Sequence, residues 1–314
     1  MAQNSKIEWC HHTANLWHGC TKVHEGCDNC YAEALAKRWG NDIWGNDKPR
    51  KEIVSVFRDL AKYQKLAKDA GEMHRVFVGS MMDIFEKPMP LINSKGEKAI
   101  DWSDGSAVCT DQLRDRFFEN IDNECYPNLL FLLLTKRPSN INKYVPESWK
   151  TSPPENVMFG TSPVNQETAN KLIPQLLQVN GKKFLSVEPQ LGPVSFNIPL
   201  RHFHMLLNDS FELDRWQNER EFNWTNYNVL TGSMNDVSRG NYGAAAGNPI
   251  IDWVIQGGES GHKKRAFDLN WARAMRDEST RAGIPYFFKQ IDKVQPIPDE
   301  IMIREFPKIK TAAA

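Results

Sequence analysis

The sequence carries no excess of charge of either sign, because 39 lysines and arginines stand against 39 aspartates and glutamates. A domain that binds nucleic acid usually shows a net positive field, so only local basic clusters remain to be considered. Long apolar runs are also absent: no stretch approaches the roughly 18 residues of a membrane-spanning helix. The N-terminal residues lack the apolar segment of a secretory signal peptide. We therefore expect a cytoplasmic protein that does not contact a membrane.

Cysteine is scarce, with six in 314 residues. That is too few for a disulfide scaffold and is typical of a protein in a reducing compartment. Half of the cysteines are scattered, and we interpret them as plain thiols: Cys10, Cys109 and Cys125. The other half lie in one predicted loop with the spacing C-x6-C-x2-C: Cys20, Cys27 and Cys30. This clustering favours metal binding.

Two metal centres are compatible with the cysteine loop. Three thiolates can ligate three irons of a [4Fe-4S] cluster and leave the fourth iron open, or they can supply three of the four ligands of a structural zinc. His24 lies inside the loop and could complete a Cys3His zinc site. Zinc sites of this kind usually pair two C-x2-C elements, whereas the loop has one. The spacing favours iron-sulfur, and the residues alone leave both centres open.

The rest of the chain repeats a short apolar run, a polar tip and a segment of helical period. Six strands are predicted, with a possible seventh at Ile7–Cys10: Arg75–Gly79, Leu129–Leu134, Val157–Gly160, Lys183–Val187, Asp252–Gln256 and Pro285–Phe288. Three helices are predicted: Tyr31–Trp39, Val164–Val179 and Leu269–Arg281. Apolar strands alternating with helices are typical of a parallel sheet covered on both faces. We predict a single α/β domain over residues 1–314, a partial or complete parallel (β/α) barrel.

Two stretches interrupt the repeat. Residues 93–110 are predicted to be an inserted loop. Residues 197–249 are rich in asparagine, aromatic and charged residues and end in a glycine-rich segment. A structureless loop of that length is improbable inside a compact domain, so we expect an inserted, lid-like subdomain.

Polar residues follow the predicted strands, and in a parallel barrel the carboxyl ends of the strands converge on the active site. Glu188 directly follows a buried strand, where a charge is rarely left unpaired. Gly257 and Gly258 would let the backbone approach a ligand closely. The candidates for binding or catalysis are Ser80, Asp83, Lys136, Thr161, Ser162, Glu188, Gly257, Gly258, Glu259, Ser260 and Lys289.

Several motifs carry a resemblance to a known family. The stretch G-C-T-K-V-H-E-G-C-D-N-C-Y-A-E is followed by L-L-L-T-K-R-P, F-L-S-V-E-P, W-V-I-Q-G-G-E-S-G and F-F-K-Q. With these motifs the sequence resembles the phage-associated three-cysteine-motif proteins, which are often encoded beside a TcmP-type partner methyltransferase. That family is in turn similar to radical S-adenosylmethionine enzymes. The matching blocks run from about Ser5 to Gln290 and exclude the two insertions.

The resemblance implies a barrel of the radical S-adenosylmethionine type. Its [4Fe-4S] cluster would be held by Cys20, Cys27 and Cys30, and its cofactor would be cleaved to a 5′-deoxyadenosyl radical. The implied cofactor-binding residues are Tyr31, Ser80, Asp83, Thr161, Ser162, Glu188, Gly257, Gly258, Glu259 and Ser260. The implied catalytic residues are Glu188, Lys136 and Lys289. The first gap between cysteines is six residues here, whereas the common radical-enzyme spacing has three.

The function implied is modification or repair of a nucleobase in phage or host nucleic acid, with DNA favoured over RNA. A flavodoxin or ferredoxin would supply electrons, and a methyltransferase-like protein is a possible partner. Basic residues could hold phosphate while aromatic residues stack an unpaired base. The residues in question are Lys136, Arg137, His262, Lys263, Lys264, Arg265, Trp216, Phe222, Trp224 and Tyr227.

Two alternatives stay open at this point. The first is a non-catalytic iron-sulfur or zinc protein that binds nucleic acid or a partner protein. The second is metal-independent phosphate-ester or glycosyl chemistry, with Glu188 and Glu259 as paired carboxylates.

Overall fold

The structure is a computed structural model that describes residues 2–101, 105–203, 225–236, 240–242, 250–261 and 263–308. The chain divides into two compact units. The first unit comprises Met1–Gly160 with Lys308–Ala314, and the second comprises Thr161–Pro307. That residues 1–314 behave as one domain stays a prediction.

The elements of the described residues alternate between strands and helices. In chain order the strands are β1 (Ala2–Gln3), β2 (His12–Ala14), β3 (Trp17–His18), β4 (Arg50–Glu52), β5 (His74–Val78), β6 (Leu91–Ile92), β7 (Leu129–Thr135), β8 (Val157–Thr161), β9 (Lys182–Val187), β10 (Asn197–Pro199), β11 (Thr225–Asn228), β12 (Ser233–Asp236), β13 (Gly240–Tyr242), β14 (Trp253–Gly257) and β15 (Tyr286–Gln290). The α-helices are α1 (Tyr31–Arg38), α2 (Val56–Ala70), α3 (Thr110–Asp122), α4 (Ile141–Tyr144), α5 (Gln166–Leu177) and α6 (Leu269–Ala282).

The first unit is built on parallel strands with apolar side chains on both faces. β2 pairs with β5 and β5 pairs with β7, in both cases parallel. The side chains of β7 are buried from Leu129 to Leu133, as expected for a strand covered on both faces. A small sheet in the order β3-β4-β6 lies in the same unit. It places Arg50 at the start of β4, where the residue faces the interior.

The second unit repeats the arrangement with β9, β14 and β15. β14 lies between the other two strands and pairs parallel with both. All five residues of β14 are buried. α6 begins at Leu269, where the Asp268 side chain accepts a hydrogen bond from the backbone N–H of Asn270, and it ends before Gly283.

The strand order of the main sheet is β1-β2-β5-β7-β8-β9-β14-β15. After the short antiparallel β1, each further strand along the chain that joins this sheet lies next to the one before it. A doubly wound sheet would instead reverse direction at a switch point. The α/β class is therefore confirmed, and the seven parallel strands are consistent with a partial (β/α) barrel.

The six predicted strands are confirmed to within two residues at each end, whereas the seventh was misplaced. Residues Ile7–Cys10 form a turn, in which the Cys10 N–H donates to the Ile7 carbonyl. The strand is β2, at His12–Ala14. The predicted helices correspond to α1, α5 and α6.

The two predicted insertions contain antiparallel pairing. In the first insertion, residues 93–110, isolated antiparallel β-bridges join Lys98 to the preceding Ile92 and Ile100 to Ala107. Residues 102–104 lie outside the described part of the chain. The second insertion contributes an antiparallel sheet in the order β10-β11-β12-β13. Residues 204–224 and 243–249 of it lie outside the described residues. Within the described part of the chain, no helix combines the length and the apolar character needed to cross a membrane.

Candidate functional site

The cysteine loop directly follows β3, the short strand that comes after β2 along the chain. Gly19 opens the loop with a φ of +116°, a conformation that residues with a side chain rarely adopt. A Cβ atom on Gly19 would lie 2.4 Å from the Ile43 carbonyl oxygen and 2.7 Å from Cδ of Arg50. The glycine is therefore required for the close approach of the loop to the segment before β4.

Arg137, two residues beyond the end of β7, reaches the first cysteine of the loop. One terminal nitrogen lies 3.9 Å from Sγ of Cys20 and donates to Oδ2 of Asp83 at 2.8 Å. The other terminal nitrogen donates to the Thr21 carbonyl at 2.6 Å. Asp83 in turn accepts from the Thr135 hydroxyl at 2.7 Å. The loop is thus attached to the carboxyl ends of β5 and β7 by charge-assisted hydrogen bonds.

A second arginine holds the loop from the interior. Arg50 is fully buried and donates to both carboxylate oxygens of Glu86, at 2.9 and 2.8 Å. Its remaining N–H groups donate to the Thr21 hydroxyl at 2.9 Å and to the carbonyls of Gly45, Ile43 and Lys48. A buried charge is costly unless it is paired and hydrogen-bonded, and Arg50 meets both conditions.

The electrostatic surroundings of Cys20 favour the neutral thiol in the metal-free chain. Burial raises the pKa of Cys20 to about 12, and the carboxylates of Asp83 and Glu86 act in the same direction. Arg137 opposes them. Burial disfavours the charge on Arg137, but Asp83, Cys20 and Glu86 outweigh that effect and raise its pKa above the ordinary value. A metal cation that replaced the thiol proton would compensate the negative charge of the resulting Cys20 thiolate, which these surroundings otherwise disfavour.

The other two cysteines flank the turn that precedes α1. Cys27 ends a short 3-10 turn, and Cys30 is the residue directly before α1. His24 caps the 3-10 turn, with Nδ1 accepting from the Gly26 N–H at 3.1 Å. All three loop cysteines are partly exposed, and none is in a disulfide.

The three-cysteine set can be compared with what a [4Fe-4S] cluster needs. Its chemistry fits, because three free thiols on one loop are the ligands of a cluster with one open iron. Within the described residues, no three Cys, His, Asp or Glu side chains lie close enough together to hold a metal ion. Cluster binding would therefore draw the three sulfur atoms towards one point.

Tyr31 and Ser80 connect the loop to the end of β5. The Tyr31 hydroxyl donates to the Ser80 carbonyl at 2.6 Å. The Ser80 hydroxyl accepts from Nδ2 of Asn15 at 2.9 Å, and Oδ1 of Asn15 accepts from the Met81 N–H at 2.8 Å. Asp83 is buried and engaged by Thr135 and Arg137, so in this structure its carboxylate positions protein groups. The roles of all these residues in cofactor binding stay predictions.

In the second unit, Glu188 and Lys289 come together as an ion pair. Lys289 Nζ donates to Oε1 of Glu188 at 2.6 Å. Nε2 of Gln290 donates to the same oxygen at 3.1 Å and to the Gly258 carbonyl at 3.1 Å. The two charged side chains are 17 % and 13 % exposed, which makes the pair accessible at one edge. Glu188 directly follows β9, and Lys289 is the fourth of the five residues of β15.

The two glycines after Ile255 and Gln256 have different structural roles. A Cβ on Gly258 would lie 2.0 Å from the Ile291 carbonyl oxygen, so this glycine is required for packing within the protein. A Cβ on Gly257 would lie 3.5 Å from Cδ of Glu188, in ordinary contact. Gly257 therefore leaves the Glu188 carboxylate uncovered on that side.

Glu259 is engaged by its own loop. Its Oε2 accepts from the backbone N–H of Arg265 at 2.8 Å and from Nε at 3.0 Å, and its Oε1 accepts from a terminal nitrogen at 2.7 Å. Both carboxylate oxygens are thus hydrogen-bonded to Arg265. Ser260, the next residue, is half-buried.

Three further predicted residues follow β7 and β8. The backbone N–H of Lys136 donates to Oδ2 of Asp83 at 3.2 Å, and its side chain is half-buried. Thr161, the last residue of β8, is fully buried. Ser162 is 1 % exposed, and within the described part of the chain its hydroxyl has no hydrogen-bond partner.

The structure also identifies residues that the motif analysis did not include. Arg50 holds the cysteine loop and Asn15 holds the segment after β5, yet neither lies in a recognisable motif. Glu86 ends the stretch S-M-M-D-I-F-E, which belongs to the resemblance, but its pairing with Arg50 was not predicted. Arg137 was noted as a basic residue that could hold phosphate, whereas the structure commits its guanidinium to Asp83 and the cysteine loop. Tyr227 was expected to stack an unpaired base, and this is wrong: the ring is 1 % exposed and packs edge-on against Phe203. Trp216, Phe222 and Trp224 lie outside the described residues.

Comparison with known proteins gives a match to one protein family. The family is described as a protein of unknown function (DUF5131), and it matches residues 4–96 and 98–306. No curated protein and no solved structure matches the chain. Since the family match spans nearly all of the sequence, including the cysteine loop and both units, the chain belongs to the DUF5131 family.

Proposed function

We propose that this protein is a radical S-adenosylmethionine enzyme that modifies or repairs a nucleobase, with a [4Fe-4S] cluster on Cys20, Cys27 and Cys30. The observation that carries the proposal is the contact of Arg137 with the cysteine loop. From the end of β7, Arg137 reaches Sγ of Cys20 and the Thr21 carbonyl, so the loop lies at the carboxyl ends of parallel strands. Active sites of α/β folds form at that edge.

The protein residues would serve the cluster in distinct ways. When bound, the cluster supplies the electron that cleaves S-adenosylmethionine and so starts hydrogen abstraction from the substrate. Arg137 keeps a positive charge beside Cys20, which favours the thiolate that a metal requires. Asp83 fixes the guanidinium of Arg137, and Arg50 holds the loop through the side-chain hydroxyl of Thr21.

The nucleic-acid part of the proposal depends on the family resemblance and on local charge. Lys136 lies beside the cysteine site in the first unit. In the second unit, Lys264 is paired with Asp292 and Arg265 with Glu259, so these cations are partly neutralised. We propose DNA as the favoured polymer, a flavodoxin or ferredoxin as electron donor, and a methyltransferase-like protein as a partner.

The test is the iron and sulfide content of protein purified without oxygen, with electron paramagnetic resonance of the reduced protein. About four irons and four sulfides per chain are expected, with a signal that changes when S-adenosylmethionine is added. Cys30→Ala should lose the iron. Cys125→Ala is the matched control and should retain it, because Cys125 is exposed and distant in sequence from the loop.

Zinc in place of iron, or a cluster signal that does not respond to S-adenosylmethionine, would contradict the proposal. Those results would favour a non-catalytic binding protein in which the metal stabilises the cysteine loop. Circular dichroism of Cys30→Ala distinguishes the enzyme from the non-catalytic binding protein. The enzyme should keep its fold in this variant, whereas a protein whose fold depends on the metal should lose it.

A further inference from the structure

We infer that the Glu188–Lys289 pair in the second unit binds the edge of a nucleobase that presents an N–H group beside a carbonyl oxygen. The inference rests on the proposed function, because it names the substrate contact of a nucleobase-modifying enzyme. It depends on the geometry of the pair and does not involve the cysteine loop.

The Glu188 carboxylate has one occupied and one available oxygen. In the described part of the chain, both of its hydrogen bonds end on Oε1, from Lys289 Nζ at 2.6 Å and from Gln290 Nε2 at 3.1 Å. Gln290 is itself held by the Gly258 carbonyl, so the carboxylate is fixed in orientation. An ionised carboxylate has about four acceptor sites on its two oxygens, and the two hydrogen bonds here use only one oxygen. Oε2 is therefore the acceptor that a ligand can use.

The surroundings of the pair leave room for such a ligand. Gly257 has no side chain, and a Cβ there would contact Cδ of Glu188. Ser162 follows β8, the strand next to β9 in the sheet, is 1 % exposed, and has no hydrogen-bond partner for its hydroxyl among the residues that the structure describes. A buried hydroxyl without a partner in the protein is unfavourable, and a polar ligand could satisfy it.

The charge of the pair selects the class of ligand. Glu188 and Lys289 neutralise each other, so a ligand with a net charge gains little from them. Together they present an acceptor that cannot donate beside a donor that cannot accept. The lactam edge of uracil, thymine or guanine carries the complementary groups, one N–H beside one C=O. Enzymes that act on an extruded base read that edge by hydrogen bonds.

An α-amino acid presents the same chemistry, with an ammonium group for Glu188 and a carboxylate for Lys289. The methionyl part of S-adenosylmethionine is one such source. The experiment therefore measures uridine and guanosine in one arm and methionine and S-adenosylmethionine in the other. Ligand-observed nuclear magnetic resonance titrations give the dissociation constants on the full chain.

Uridine and guanosine are expected to bind wild-type protein. Methylation at the ring nitrogen removes the N–H group. The dissociation constants of 3-methyluridine and 1-methylguanosine should therefore be at least about tenfold higher than those of uridine and guanosine. This comparison needs no variant and cannot fail through misfolding. Equal binding of the methylated and unmethylated nucleosides would overturn the inference.

Two variants locate the contact. Glu188→Gln replaces the open acceptor by an amide that donates towards the ligand N–H, and Lys289→Met removes the donor. Each should weaken uridine binding about tenfold or more. Lys48→Met is the matched control, because the Lys48–Asp42 pair has the same length of 2.6 Å and lies in the first unit. Uridine binding should be unchanged in this variant.

Several outcomes of these titrations would contradict the inference. Nucleoside binding that survives both variants, or no nucleoside binding at all, would overturn the inference. So would methionine or S-adenosylmethionine binding, without nucleoside binding, that is lost in both variants. A cluster that responds to S-adenosylmethionine in a protein that binds no nucleoside would leave the proposed radical chemistry standing while this contact fails. Nucleoside binding without a cluster would give the reverse.

Discussion

Arg50 and Glu86 form a two-point ion pair in the interior of the first unit, with Nε and a terminal nitrogen of Arg50 donating to the two carboxylate oxygens at 2.9 and 2.8 Å. The side chains are 0 % and 2 % exposed. Arg50 also bonds to Thr21, the residue after Cys20. A charged pair in the core thus determines the conformation of the loop that carries the candidate metal ligands.

Removal of one member of this pair should be strongly destabilising. Arg50→Met leaves the Glu86 carboxylate buried with only the longer contact to Arg137 at 3.6 Å. Breaking a buried pair costs about 3–5 kcal/mol of unfolding free energy. The measurement is urea unfolding followed by circular dichroism.

The exposed pair Lys48–Asp42 is the control for Arg50→Met. It is also short, at 2.6 Å, but its side chains are 36 % and 77 % exposed. Asp42→Ala should therefore change the unfolding free energy by less than about 1 kcal/mol. The double variant Arg50→Met, Glu86→Leu should be less destabilised than Arg50→Met alone, because no unpaired charge remains. Equal losses in Arg50→Met and Asp42→Ala would contradict the assigned role of the pair.

Gly19→Ala should disrupt the cysteine loop more than an equivalent change elsewhere. The substitution adds a side chain at a φ of +116° and places its Cβ 2.4 Å from the Ile43 carbonyl. Gly71→Ala is the matched control, since Gly71 ends α2 with a φ of +66° and has open space around it. Backbone strain alone costs about 1–3 kcal/mol, and Gly19→Ala should exceed that range. Urea unfolding of the two variants gives the comparison, and equal losses would show that the contact with Ile43 is unimportant.

The sheet could be predicted from the sequence because its strands are nearly continuous apolar runs. β7 reads Leu-Leu-Phe-Leu-Leu-Leu-Thr, a pattern that few other structures satisfy. β2 could not be located in the same way. Its residues His12–Ala14 carry little apolar signal, although all three are buried. The prediction therefore fell on the more apolar Ile7–Cys10.

The network around the cysteine loop could not be predicted because its members are far apart in the sequence. Arg50 and Glu86 are separated by 36 positions, and Cys20 and Arg137 by 117. No local periodicity marks such a pairing. The cysteines and Glu188 could be singled out because their chemistry is unusual at their positions, whereas a buried arginine is indistinguishable in sequence from a surface one.

The histidines around β2 should make the protein less stable in mild acid. Burial lowers the pKa of His11 and of His12 from 6.5 to about 4, and the neighbouring His74 acts in the same direction on both. The unfolded chain has ordinary histidines, so it binds protons between pH 6.5 and 4 that the folded chain does not. The stability that the neutral histidines give to the folded state is therefore fully present above pH 6.5. It is lost as the pH falls from 6.5 to 4.

A variant of His12 isolates the effect. His12 stacks on Tyr63 with ring centres 4.1 Å apart, and its Nε2 lies 3.0 Å from Nδ1 of His74. His12→Phe keeps the stacking and cannot be protonated. Its unfolding free energy should fall less steeply between pH 6.5 and 4 than that of wild type. The difference in slope should correspond to up to about one fewer proton taken up on unfolding. An identical slope in both proteins would refute the assignment. Near pH 7.5 the stability of both proteins should be insensitive to histidine protonation.

The loop that follows β14 should lose its order when Glu259 is removed. Arg265 satisfies both oxygens of the Glu259 carboxylate through its backbone N–H and its guanidinium, which joins the two ends of the loop. In Glu259→Ala the guanidinium loses this partner, and cleavage by trypsin after Lys263, Lys264 or Arg265 should become several-fold faster. Mass spectrometry of the fragments over time measures the rate at each bond. Glu300→Ala removes the carboxylate of a more exposed pair with Arg273, at 3.0 Å, and should leave cleavage of this loop unchanged. If Glu259→Ala is cleaved at the wild-type rate, the Glu259 carboxylate does not order the loop.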